Sequence, residues 1–107
     1  MKSGLLWLTC FAMGVSEVRA QGVIEFVQEG CVPCARMAPT MARLERAGIR
    51  VVRIDANKQS DVAKSLGITT TPTFVAVSKS GFYVDRIVGE TKEKTLRALY
   101  QRAQQAN

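Results

Sequence analysis

The sequence contains no histidine and only three cysteines among its 107 residues. Structural zinc normally takes four Cys or His ligands, so a complete site within one chain is excluded, while a four-cysteine site shared by two copies stays open. There is also no dense basic run with interleaved aromatics, although the net charge is +6. Scattered basic residues are typical of a solubilising surface that favours acidic partners, so we expect no nucleic-acid binding.

The apolar stretch over residues 5–15 is well short of the roughly 20 residues that a membrane-spanning helix needs. It follows Lys2 and precedes Val18 and Ala20, whose short side chains stand at the positions that a signal peptidase reads, which is the layout of a secretory signal peptide. We therefore predict a signal over residues 1–20 and a mature domain over residues 21–107 that is periplasmic or secreted, with no stable membrane insertion. An uncleaved anchor and a buried first helix are the alternatives.

Cleavage after Ala20 or Gly22 removes Cys10 and leaves Cys31 and Cys34 in the mature chain. Export would place this pair where disulfide chemistry is possible. Two cysteines three positions apart close too short a loop to staple a fold, so their spacing favours reactivity over stability.

Hydrophobic patterning predicts the element order β-α-β-α-β-β-α, with no internal repeat and no linker. The expected strands cover residues 23–27, 49–54, 73–77 and 82–88, and the expected helices cover residues 32–47, about 62–66, and 91 onwards. Strands separated by helices favour parallel pairing, and the final hairpin adds an antiparallel pair. The pattern predicts an α/β fold with a mixed four-stranded sheet and helices on both faces.

The cysteine pair follows the first predicted strand and opens the first predicted helix. A cysteine at a helix N-terminus faces unpaired backbone N–H groups and the positive end of the helix dipole, which stabilise thiolate over thiol. Because the thiolate is the nucleophile, we expect Cys31 to attack and Cys34 to resolve the mixed disulfide. Pro33 is tolerated in the first helical turn, where its missing N–H costs nothing. The pair therefore predicts redox catalysis, with an inert structural pair as the alternative.

Several segments, taken in their order and spacing, resemble the thioredoxin family across essentially the whole mature chain. They are Val23-Ile24-Glu25-Phe26-Val27, Cys31-Val32-Pro33-Cys34, Ile54-Asp55-Ala56-Asn57, Gly67-Ile68 with Thr71-Pro72-Thr73, and Val88-Gly89. The resemblance implies a thioredoxin fold and a thiol–disulfide oxidoreductase that needs no cofactor or metal. It also implies that Cys31 and Cys34 form a reversible disulfide.

A substrate-docking loop is a further implication of the resemblance. Pro72 is then a cis proline whose loop faces the cysteines, and the backbone of Thr71 hydrogen-bonds an extended substrate segment as one more strand. The substrate-binding residues implied in this way are Val32, Pro33, Thr71, Pro72 and Gly89.

Glu25 lies where the family has a buried acid behind the cysteine pair. A carboxylate inside an apolar strand should have a raised pKa, and it can then accept and return the proton of Cys34. In the alternative, Glu25 reaches an edge or pairs with a basic residue. Val51 stands roughly where the family often has a lysine near this acid.

The chain departs from the family in its length and around the cysteines. It has no room for the strand and helix that usually precede the first strand, so we predict a fold that lacks both. Gly30 stands where thioredoxins usually carry tryptophan, and Val-Pro replaces Gly-Pro between the cysteines. We expect the chemistry to be retained and the choice of partner to differ.

Pro33 before Cys34, with no histidine between the cysteines, favours the reducing direction. The expected partners are protein disulfides or dithiols and a membrane or soluble electron donor, and the expected state is a monomer. Two other classes remain open. One is a glutaredoxin-like enzyme that uses glutathione, and the other is a non-catalytic module that docks a partner on the same fold.

Overall fold

The computed structural model describes residues 21–106, which contain four strands and three helices. The strands are β1 (Gly22–Val27), β2 (Val51–Asp55), β3 (Thr73–Val77) and β4 (Tyr83–Val88). The helices are α1 (Val32–Arg46), α2 (Ser60–Ser65) and α3 (Glu93–Gln105). The predicted element order is confirmed. The predicted signal peptide and the predicted lack of an earlier strand and helix concern residues outside the described range.

The strands form one mixed sheet in the order β2-β1-β3-β4. β1 pairs in parallel with β2, while β1–β3 and β3–β4 pair antiparallel. Strand β1 is therefore central, which suits its apolar and β-branched sequence. Its carboxyl end leads directly into the turn before α1, so Cys31 lies at the carboxyl end of the central strand.

Side chains that alternate between the two faces of the sheet belong to two separate apolar clusters. One face packs Val23 and Phe74 against residues of α1 and α3, including Met41 and Leu96. The opposite face packs side chains of β1 and β3 against the short helix α2. The prediction of helices on both faces is confirmed. Among residues 21–106, no helix combines the length and the apolar character needed to cross a membrane.

Strand β2 begins later than predicted, at Val51 instead of residue 49. Gly48 has a φ of 92°, a conformation that favours glycine at the end of a helix. The N–H of Ile49 donates to the carbonyl of Leu44 at 3.0 Å. Residues 47–50 therefore close helix α1 and turn the chain before the strand can start. Helix α3 likewise begins at Glu93, two residues after the predicted start at Thr91.

Candidate functional site

Cys31 caps the N-terminus of α1. Its backbone is extended, with φ −79° and ψ 102°, and its Sγ accepts a hydrogen bond from the N–H of Cys34 at 3.2 Å. Pro33 lies in the first turn of the helix, as the sequence predicted. The Sγ of Cys31 thus sits against a backbone donor at the positive end of the helix dipole, where a thiolate is stabilised.

Cys31 and Cys34 are joined by a disulfide, with their Cα atoms 5.3 Å apart. Both residues are half-buried. Since the bond spans a single helical turn, it can open and close while the rest of the fold stays in place.

The loop before β3 lies against the disulfide. The Thr71–Pro72 peptide bond is cis, as the family resemblance implied, and the Oγ1 of Thr71 is 3.5 Å from the Sγ of Cys31. The carbonyl of Pro72 accepts a hydrogen bond from the N–H of Gly89 at 2.7 Å. This bond ties the segment after β4 to the loop, so three separate parts of the sequence meet beside Cys31.

Two apolar side chains stand exposed around this junction. Val32 is 60% exposed and follows the capping cysteine, while Val88 is 58% exposed and precedes Gly89. All five residues predicted to dock a substrate therefore lie next to Cys31 or in segments connected to it. The exposed surface beside the disulfide combines apolar side chains with the loop backbone.

Glu25 is buried in the middle of β1, with only 1% of its surface exposed. Burial raises the pKa of its carboxyl above the ordinary value of 4.5, and the charge of Glu45 adds to the rise. The Nε of Arg53 donates to Oε1 of Glu25 at 2.9 Å and opposes that rise in pKa. The expected burial with a raised pKa and the alternative of a basic partner are therefore both found at Glu25.

Arg53 is the residue near the site that sequence reasoning missed. The parallel register places Arg53 opposite Glu25, whereas Val51, which was expected to mark the position of the missing cation, lies opposite Val23. The basic partner that the sequence analysis left open for Glu25 is therefore Arg53, two residues after Val51. A sequence signal existed, because Glu25 and Arg53 each interrupt an otherwise apolar strand.

A groove of about 600 Å³ connects these groups. The residues that line it include Cys31, Cys34, Glu25 and Arg53. The buried carboxylate therefore faces the same space as the disulfide, on the face of the sheet that α1 covers.

Comparison with known proteins identifies the same architecture. The family model named Thioredoxin matches residues 7–102. A curated H-type thioredoxin of Nicotiana tabacum is 30% identical over 99 residues, covering 91% of this chain and 77% of the relative. The mitochondrial thioredoxin-3 of Saccharomyces cerevisiae is 36% identical over 69 residues, covering 63% of this chain and 54% of the relative.

Solved structures give the same result. The oxidised form of yeast mitochondrial thioredoxin 3 superposes with a TM-score of 0.70 at 29% identity, covering 88% of this chain and 89% of that one. A thioredoxin of Nicotiana alata superposes with a TM-score of 0.69 at 28% identity, covering 90% and 84%. The chain nevertheless spans only 54% and 61% of the lengths of the yeast protein and of thioredoxin H4 of Arabidopsis thaliana.

Proposed function

This chain belongs to the thioredoxin family, and we propose on that premise that it is a thiol–disulfide oxidoreductase acting on protein disulfides. The observation that carries the proposal is the Cys31–Cys34 disulfide, which lies at the N-terminus of α1 and against the loop of Thr71. A reactive pair needs stabilisation of its thiolate and access for a partner. Both are present at this position.

In the reduced protein, Cys31 is the nucleophile. Its thiolate attacks one sulfur of a substrate disulfide, forming a mixed disulfide and releasing the other substrate sulfur as a thiolate. Cys34 then attacks the Sγ of Cys31, which frees the second substrate thiol and re-forms the Cys31–Cys34 disulfide. Two electrons pass from the protein to the substrate, and a separate electron donor must return them.

Glu25 is proposed as the proton acceptor for Cys34. Its carboxylate borders the same groove as both cysteines, and burial raises its pKa towards the range in which a carboxylate is an effective base. Arg53 holds one carboxylate oxygen and so leaves the other, Oε2, for the proton. In this role Arg53 orients the carboxyl group of Glu25 and compensates part of its charge.

A substrate segment is proposed to dock beside Thr71 as an added strand. Within residues 21–106, the backbone groups of Thr71 make no backbone hydrogen bond, so they can pair with an extended peptide. Val32, Pro33, Pro72 and Gly89 are the other residues proposed to contact that segment. Exposed Val32 supplies apolar contact on one side of the disulfide.

Dithiothreitol-driven reduction of insulin tests the activity. The wild-type domain should accelerate the reaction, and Cys31→Ser should abolish the acceleration. Reduced Cys34→Ser that has been freed of dithiothreitol and then mixed with insulin should accumulate a mixed disulfide on Cys31, detectable as a mass increase, because the resolving thiol is missing. If the wild-type domain gave no acceleration, and Cys31→Ser therefore changed nothing, the protein would be a binding module instead of an enzyme.

The reducing direction is a second part of the proposal. It is supported by Pro33 before Cys34 and by the lack of a histidine between the cysteines. Equilibration of the pair with glutathione buffers should give a potential near about −270 mV, the value typical of thioredoxins. A value near about −120 mV would make the protein a disulfide donor instead.

Export to the periplasm or the medium is also proposed, on the composition of residues 1–20. The family match begins at residue 7, inside that segment, and the yeast relative is named as mitochondrial. Cell fractionation combined with intact mass tests this. Recovery from the periplasm or the medium without residues 1–20 or 1–22 supports export, and recovery from inside the cell contradicts it.

A further inference from the structure

The groove of about 600 Å³ adjoins the docking surface, because Val32 and Gln28 line it and the Oε1 of Gln28 accepts a hydrogen bond from the Oγ1 of Thr71. Thr71, Pro72 and Gly89 do not line it, whereas Cys31 and Cys34 both do. The groove is wide open to solvent, so it admits a small molecule without enclosing it. A ligand in the groove that is much smaller than a protein can therefore lie beside both cysteines without contacting Thr71, Pro72 or Gly89.

Small side chains leave this space open. Gly30, Ala35 and Ala38 line the groove. Gly30 has a φ of 78°, and a Cβ built on it would meet no atom within 4 Å. The groove is therefore open because the residues that flank the cysteines in this chain are small.

Arg53 brings a cationic side chain to the lining of the groove. The side chain of Arg53 is 49% exposed, against 2% for that of Glu25. An arginine has five N–H donors, and within the described part of the chain Arg53 uses only its Nε, to hold Glu25. The remaining donors form a planar fork, which matches the geometry of a carboxylate.

We propose that this groove binds small disulfides that carry a carboxylate, with the carboxylate on Arg53 and the sulfur atoms against Cys31. The proposal rests on the oxidoreductase function proposed above and names a low-molecular-weight substrate class for the same cysteine pair. Glu25 does not repel such a ligand strongly, because its charge is compensated by the Nε of Arg53. The net charge of +6 also attracts anions to the domain as a whole.

The reaction balances without any additional reagent. The thiolate of Cys31 attacks one sulfur of the small disulfide RSSR, forming a bond from Cys31 to SR and releasing RS⁻. Cys34 then displaces the second RS⁻ and re-forms the protein disulfide. RSSR gains two electrons and becomes two thiols, and the Cys31–Cys34 dithiol is oxidised.

Three symmetric disulfides of similar size test the proposal with the full chain. Dithiodipropionate carries two carboxylates, hydroxyethyl disulfide is neutral, and cystamine carries two ammonium groups. The rate of each with the reduced protein is divided by its rate with free dithiothreitol, which removes differences in intrinsic reactivity. The wild-type protein should then prefer dithiodipropionate to hydroxyethyl disulfide by on the order of fivefold, as expected for one partly exposed ion pair, and should disfavour cystamine.

Arg53→Gln should bring the preference for dithiodipropionate close to unity, and Arg53→Lys should restore part of it. The comparison is made in a Glu25→Gln background, because Arg53→Gln alone would leave the charge of Glu25 uncompensated beside the groove. A general loss of rate cancels, since the preference is a ratio measured within one protein. Arg50→Gln removes the same charge from an exposed position outside the groove and should keep the preference. High salt should reduce it in the wild-type protein, because the contact is screened.

Two results would overturn the site while leaving the oxidoreductase function intact. One is a wild-type preference near unity together with normal insulin reduction. The other is an equal loss of preference in Arg53→Gln and Arg50→Gln, which would indicate a general charge effect. If the wild-type protein reduced neither insulin nor hydroxyethyl disulfide, the proposed function would fail first, and this site would fail with it.

Discussion

Replacing Arg53 with methionine should destabilise the domain, and the loss of stability should grow with pH. Methionine keeps an apolar stem along the sheet but removes the guanidinium that donates to Glu25 at 2.9 Å. The carboxylate of Glu25, with 2% of its side chain exposed, is then buried without a partner. The substitution therefore measures the cost of burying that charge.

The magnitude follows from the exposure of the two partners. Removing one member of a fully buried ion pair costs about 3–5 kcal/mol. The side chain of Arg53 is 49% exposed, so water screens its attraction for Glu25. We therefore expect about 1–3 kcal/mol at about pH 8. In a domain of this size, 1 kcal/mol corresponds to a shift in Tm of about 4–8 °C, which is readily measured.

The pH dependence has a definite sign. Burial raises the native-state pKa of Glu25 above its ordinary value of 4.5, and Arg53 opposes the rise. Without Arg53 the native pKa rises further, so the native state holds its proton to higher pH than the unfolded chain does. Stability is then fully present below the ordinary pKa and is lost as pH rises towards the raised native value. The cost of Arg53→Met should be smallest near the ordinary pKa.

Urea unfolding of the oxidised protein at about pH 5 and about pH 8 checks this reasoning. In a Glu25→Gln background, Arg53→Met should cost little at either pH, because no carboxylate is left unpaired. Arg50→Met serves as the matched control at an exposed position. An equal loss at both pH values, or an undiminished loss in the Glu25→Gln background, would refute the argument.

Two further substitutions test the packing and the surface charges. Phe74 is fully buried in the cluster shared by α1 and α3, so Phe74→Ala should cost about 3–5 kcal/mol in urea unfolding. Phe82→Ala, at a side chain that is 67% exposed, should change stability by no more than about 0.5 kcal/mol, and equal costs would contradict the assigned core. Arg36 holds the pKa of Glu90 below its usual range through a hydrogen bond and its charge. Because both groups are exposed to solvent, Glu90→Gln should lower the urea midpoint only slightly, and a loss that survived at about 1 M salt would argue against an ionic origin.

Local patterns in the sequence were sufficient for most of the elements. The third strand, Thr73–Val77, has the predicted ends, because a β-branched and apolar run there lies between a proline and a polar turn. The predicted ends of elements were wrong where a single hydrogen bond decides them. At Ile49, for example, the N–H bonds to the end of α1, so that β2 begins only at Val51. Such a bond depends on the path of the chain after the helix, which hydrophobic periodicity does not encode.

The sequence by itself determined that Cys31 would cap a helix after a buried strand, since capping, spacing and helix dipole are all local properties. It also placed a carboxylate in the middle of that strand. Only the tertiary structure decided that Arg53 lies beside this carboxylate, because the two residues are 28 positions apart and meet through the register of β1 with β2. Register depends on the packing of the whole sheet, so the ion pair and the groove that it borders could not be predicted from either strand alone.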